Sequence, residues 1–123
     1  MHSLIGLVVA ALVVVESGGN PSAIGDGGRA VGLLQMWPIA VEEANRLEGI
    51  EARRQRRPAR TWTLANRLDP DASREMCAVT LRWHYRRGVV DPVELGARWR
   101  NPTGNAPEWY KGRLRDAIQS ASR

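Results

Sequence analysis

Leu4-Ile5-Gly6-Leu7-Val8-Val9-Ala10-Ala11-Leu12-Val13-Val14-Val15 is an unbroken apolar run, and it stops on Glu16-Ser17-Gly18-Gly19-Asn20-Pro21. Its β-branched valines would suit a buried strand, but the length of the run favours a helix over residues 3 to 16. Glycine accepts the left-handed geometry of a helix end and proline cannot continue the hydrogen-bond ladder, so the helix closes there. The run also looks like the hydrophobic region of a signal peptide. Against that, no Lys or Arg precedes it, no small-residue cleavage site separates it from the Glu16-Ser17 pair, and it falls short of the about 20 residues that cross a bilayer. It is read as a buried helix in one domain spanning residues 1–123.

Working outward, residues 17 to 31 hold five glycines, a winding loop with room for one short hairpin. Pro38 sits at the first position of a second helix whose apolar side is Ile39, Val41, Ala44 and Leu47. That helix is expected to stop near Glu48, because Gly49 comes next. Asp69-Pro70 and Asp91-Pro92 each join an N-cap to a proline at the first helical position. They open a long helix to Arg87, closed by Gly88, and a short one through Trp99. Pro107 opens a last helix that reaches the C-terminal end. Met76, Val79, Thr80 and Trp83 share a face of the long helix and read as core, whereas His84 on its polar side reads as a surface residue. The fold class is mainly α, five to six helices around a glycine-rich loop with at most a small hairpin.

Apolar residues make up 43% of the chain and charged residues 25%, the balance of a chain that folds. Eighteen basic against thirteen acidic side chains give a formal charge of +5, and Lys111 is the only lysine among them. The charge implies an anionic partner, without a choice among nucleic acid, acidic wall polymer and membrane surface. It gathers in Arg53, Arg54, Arg56, Arg57, Arg60 and Arg67, with no acid between Ala52 and Leu68, and reads as a solvated loop with helix ends. Cys77 stands alone, which rules out an internal disulfide and makes it a small apolar filler. Nothing clusters with His84 to hold a metal, and neither metal nor cofactor is expected.

Glu16 is the one acidic residue in an unusual setting, at the last turn of an apolar helix. Turned inward, it meets apolar surroundings and the negative end of the helix dipole, and both disfavour its charged form. A carboxylic acid held neutral can hand its proton to a leaving oxygen, the general acid's task in glycoside cleavage. Turned outward, it is a solvated helix end without chemistry. Asp26, in the glycine-rich loop, is a second carboxylate. Across a cleft at about 6.5 to 9.5 Å it would activate water in an inverting hydrolase. As an Asp-Gly turn, the reading that Gly27 favours, it would not.

The text Glu16-Ser17-Gly18-Gly19-Asn20-Pro21-Ser22-Ala23, then Gly25, then Gly32-Leu33-Leu34-Gln35-Met36 resembles the motifs of soluble lytic transglycosylases and goose-type lysozymes. In that lysozyme-superfamily group a Glu-Ser pair, an Asn-Pro turn and a Gly-Leu-x-Gln segment succeed one another at nearly this spacing. The likeness is strong over residues 7 to 37. Asp69-Pro70 to Tyr85 looks like the long helix beneath the cleft in phage-type members, and Ala97-Arg98-Trp99-Arg100-Asn101 and Tyr110 look like the third and fourth motifs. Arg100 and Thr103 stand where the third motif usually has Tyr and Gly. The resemblance implies a lysozyme-like α+β fold and cleavage of peptidoglycan between N-acetylmuramic acid and N-acetylglucosamine. Glu16 would act as acid and then as base, closing a 1,6-anhydro ring. The resemblance also implies substrate contacts for Ser17 and Gln35, a cleft wall at the backbone of Met36, and closure of the site by Asn101 and Tyr110, the Tyr110 hydroxyl near the Glu16 carboxyl.

Three other readings stay open: an inverting muramidase pairing Glu16 with Asp26, an inactive lysozyme-like wall-binding or virion protein, and a basic nucleic-acid module stacking bases on Trp62. No nucleic-acid motif accompanies the charge, so nucleic acid is not the expected partner. The expected partners are peptidoglycan strands, with anionic wall polymers along the arginines of 53–67, met by a monomer. Work in the periplasm or wall without a recognisable export segment implies release by phage lysis or virion delivery.

Overall fold

Five helices and a two-stranded hairpin form the computed structural model, which describes residues 2–123. In chain order these are α1 (His2–Ser17), β1 (Ile24–Gly25), β2 (Ala30–Val31), α2 (Pro38–Gln55), α3 (Pro70–Arg86), α4 (Pro92–Arg100) and α5 (Glu108–Ala121). The apolar run is helical. Its buried positions Ile5, Val8, Val9 and Leu12 recur at helical spacing, and α3, α4 and α5 enclose it. No helix among the described residues is long and apolar enough to cross a membrane. The two Asp-Pro starts work as their chemistry demands: Asp69 accepts from the N–H groups of Asp71 and Ala72, and Asp91 accepts from that of Glu94. Cys77 is buried in the core of α3, as a filler should be.

The second helix departs from expectation. It runs through Gly49 to Gln55 and ends at Arg56, which takes the left-handed conformation (φ 54°). A helical glycine costs about 1 kcal/mol, and what outweighs it is tertiary. Val41, Ala44 and Leu47 pack inward, and one turn further Glu48 and Glu51 continue the same buried face. Arg57 grips the Glu48 carboxylate with a fork of 2.7 and 3.1 Å, and the backbone N–H of Arg60 donates to it at 2.9 Å. Glu51 receives Arg82 at 2.7 and 2.8 Å and Arg86 at 3.1 Å. These charges fasten α2 to α3 and to the irregular segment 56–68.

That segment is not the solvated basic loop expected from its composition. Arg57 and Arg60 are spent on Glu48, Arg60 also pairs with Glu75, and Arg67 donates to the carbonyls of Arg29 and Met36. Asn45 clamps the backbone of Trp62 from both sides, at 2.8 and 2.9 Å. The Trp62 side chain is buried, so it offers no surface for stacking a base. Arg53, Arg54 and Arg56 remain exposed.

The grip of Arg57 holds the Glu48 carboxyl down at about 2, against an ordinary 4.5. A depressed carboxylate stabilises the fold fully above its unfolded value and loses that contribution as pH falls through the folded one. Urea unfolding is therefore expected to show stability falling between pH 4.5 and 2. In Glu48→Gln that slope flattens and stability at neutral pH drops, because the bonds from Arg57 and the Arg60 N–H lose the charge of their acceptor.

Candidate active site

The turn Gly32-Leu33-Leu34-Gln35 folds back so that Val31 and Met36 exchange both backbone hydrogen bonds, at 3.2 and 3.0 Å. Its carbonyls are then shared among the surrounding elements. Ser17 on α1 donates to Leu33 O at 2.7 Å, Trp99 on α4 to Leu34 O at 3.0 Å, and Arg67 to Met36 O at 3.1 Å. Leu33 and Leu34 fill the core beneath. Gly32 has φ +85°, and an added Cβ would lie 1.9 Å from the Arg67 carbonyl oxygen, so only glycine fits. Gln35 also takes a positive φ, and its Nε2 donates to Ala23 O and Gly32 O, both at 3.1 Å.

At the end of α1, Glu16 faces this turn. The Tyr110 hydroxyl, delivered by α5, donates to its Oε2. Burial raises the proton affinity of Glu16 and is the largest influence; the Tyr110 hydrogen bond and the Arg100 charge pull it down, and the Asp26 charge adds to the rise. The net shift is upward. Burial and the neighbouring carboxyl keep the Tyr110 phenol protonated, so it serves as a donor.

A cleft of about 850 Å³ opens beside the carboxyl, ample for a ligand larger than a single sugar ring. The hairpin and turn supply Asp26, Gln35 and Met36 to its lining, and α2 with its entry supplies Trp37, Ile39, Ala40 and Glu43. Thr80, Trp83 and His84 come from α3, and Arg98 to Pro102 from the end of α4. Of the residues singled out in the sequence, Glu16, Asp26, Gln35, Met36 and Asn101 meet at this cleft, and Tyr110 reaches it through Glu16. Ser17 does not line it; its hydroxyl is spent on the Leu33 carbonyl and braces the turn. Met36 contributes wall, but its N–H and carbonyl are both engaged within the protein. The Asn101 Oδ1 is buried without a hydrogen-bond partner.

Two readings of α3 change. Met76 and Val79 are core, but Thr80 and Trp83 border the cleft, and so does half-buried His84. Burial lowers the proton affinity of His84, and the Arg98 charge lowers it further. Sequence reasoning missed Trp37, whose indole N–H donates to Asp26 Oδ2 at 3.2 Å and whose ring carries Arg29 at 5.4 Å. It also missed Arg100, which lies over the rings of Trp109 and Tyr110 at 5.0 and 5.3 Å. An aromatic directly after the Gly-Leu-Leu-Gln-Met text was the available signal for Trp37. For Arg100 there was none.

The family model described as Transglycosylase SLT domain matches residues 6–94. The chain belongs to that family, and its activity is of the peptidoglycan lytic transglycosylase type. No curated protein and no solved structure gives a significant match. The matched span ends before Arg98, Arg100, Asn101 and Tyr110, which join the site through geometry.

Gly25 leaves the room that the Gln35 amide occupies, since a Cβ there would lie 2.6 Å from Gln35 Oε1. Gly25→Ala is expected to push that amide off its two carbonyls, lowering turnover of purified sacculi at least roughly tenfold while the urea midpoint moves little.

Proposed function

We propose that this member of the Transglycosylase SLT domain family cuts the bond between N-acetylmuramic acid and N-acetylglucosamine with Glu16 as the single carboxylate that moves protons. The observation that carries this reading is the Glu16 carboxyl, raised in proton affinity, held by Tyr110 and opening on the cleft. Protonated Glu16 donates to the glycosidic oxygen as the bond to the muramoyl C1 breaks. Positive charge developing on the sugar is met by the substrate's own acetamide. Glu16, now a carboxylate, takes the proton of the muramoyl 6-hydroxyl, and that oxygen bonds to C1 to close the 1,6-anhydro ring. The Glu16 proton is restored and no water is consumed.

Within this scheme Tyr110 steadies the carboxylate formed at mid-reaction, a charge-assisted hydrogen bond that strengthens as charge appears. Gln35, its donors committed to the turn, offers the cleft its Oε1 as an acceptor. Asn101 lines the opposite wall. One observation favours a second reading, the inverting muramidase: Asp26 lines the same cleft and acts on Glu16 through its charge. The Trp37 indole bond gives Asp26 a role in shaping the wall, and the single-carboxylate scheme stands without it. The arginines left exposed at 53, 54 and 56 suit an anionic wall polymer.

Glu16→Gln is expected to fold with an unchanged circular dichroism spectrum and to release no muropeptides from sacculi; retained release would end the proposal. Mass spectrometry of wild-type products should find ends lighter by one water than those of a hydrolase. In Tyr110→Phe, burial of Glu16 loses its main opponent, so the carboxyl keeps its proton to higher pH. The alkaline limb of kcat/KM should then move up by about one pH unit.

A further inference from the structure

Trp109, near the start of α5, is an indole that is 53% exposed and takes no part in the core. It does not line the cleft either. Burial therefore does not account for its place, and two cations do. Arg113, four residues along α5, lies over its ring at 5.2 Å, and Arg100, from the last turn of α4, lies over it at 5.0 Å. Arg100 also lies 5.3 Å from the centre of the Tyr110 ring. The two rings meet edge to face, with centres 5.8 Å apart and planes at 85°. The guanidinium thus occupies the corner between two perpendicular aromatic rings, within the range at which a ring's quadrupole attracts a cation.

Arg100 makes no ion pair among the described residues. An exposed arginine without a partner ordinarily sweeps a wide volume, because its long side chain keeps its rotamer freedom. Here two rings hold it, and one belongs to the tyrosine whose hydroxyl donates to Glu16. The cation is kept at the cleft, which it lines together with Glu16. The other groups facing Glu16 are the Tyr110 hydroxyl from α5, Asp26 from the hairpin and the Cys77 thiol from α3. Burial keeps the phenol and the thiol neutral, which leaves Arg100 as the cation of this set. A positive charge fixed there does little for a neutral acid and much for a carboxylate, so it acts chiefly once the proton has left. A glycan strand in the cleft displaces water and strengthens that attraction.

We propose that Trp109 and Tyr110 form an aromatic corner that fixes the Arg100 guanidinium beside Glu16, making Arg100 and Trp109 positioning residues for the proton transfers. This rests on the reading of Glu16 as acid and base.

The test is a carbon-13 NMR titration of the Glu16 carboxyl in each variant, alongside kcat and KM on soluble glycan strands. In Arg100→Gln the midpoint is expected to rise by about half a pH unit, the scale of one exposed charge pair, and kcat to fall roughly threefold. Trp109→Leu should move both in the same direction by less, with KM unchanged because its side chain is outside the cleft. Trp109→Phe, which keeps a ring, should restore most of the wild-type values. In the Arg100→Gln background Trp109→Leu should add nothing, since the indole then has no cation to place. A midpoint unmoved in Arg100→Gln overturns the proposal, whatever Trp109→Leu does, and leaves catalysis by Glu16 standing. An undiminished further shift from Trp109→Leu in the Arg100→Gln background overturns the role of the indole. Release of muropeptides by Glu16→Gln removes the catalytic reading, and the part in proton transfer goes with it.

Discussion

A carboxyl group at the C-terminal end of an apolar helix, with a phenol donating to it, is the constraint on which this molecule is organised. Helix α1 can end on Glu16 at the edge of the core only because α3, α4 and α5 enclose its apolar length. The same enclosure withdraws the carboxyl from water. Two effects then compete: burial favours the neutral acid, while the Tyr110 hydroxyl and the Arg100 charge favour the carboxylate. Burial wins, but against an opponent close at hand. A group so balanced changes protonation state at small cost, which is what a residue that gives and then takes a proton requires.

The opposite wall is built by a different logic. The Gly32 to Gln35 turn has little regular structure to satisfy its polar groups, and an irregular backbone near a core needs a partner for each of them. Ser17, Trp99 and Arg67 reach it from three separate elements. The wall that carries Gln35 is thus locked to α1, to α4 and to the segment before α3, which fixes its position relative to Glu16. The ion pairs of Glu48 extend this bracing, because they hold the segment that delivers Arg67.

Much of this was legible in the chain. Local chemistry marks local features: the Asp-Pro pairs announce α3 and α4, the apolar run announces α1, and its terminal glutamate announces the chemistry. The motif resemblance supplied the Tyr110 to Glu16 contact, across 94 residues of chain, which spacing alone does not contain. What escaped the reading depends on partners far along the chain. Gly49 looked like a helix stop because Arg82 and Arg86, 31 and 35 residues beyond Glu51, are invisible to a local window. Six arginines without an acid looked solvated because the carboxylates that Arg57 and Arg60 pair with lie on α2 and α3. One helical stripe on α3 serves both core and groove, so periodicity placed Thr80 and Trp83 inward correctly and could not separate Met76, in the core, from Trp83, at the cleft. Ser17 stands directly after the motif glutamate, yet its hydroxyl turns to a carbonyl that the fold brings beside it.

The proposed chemistry depends on the protonation of one side chain. A carbon-13 NMR titration of the Glu16 carboxyl in the free enzyme, assigned through loss of its resonance in a Glu16 variant, measures that property without reference to activity. The expected midpoint lies above the ordinary 4.5 of a glutamate. A midpoint at or below that value would mean that Tyr110 and Arg100 outweigh burial, and that no neutral acid waits at the end of α1.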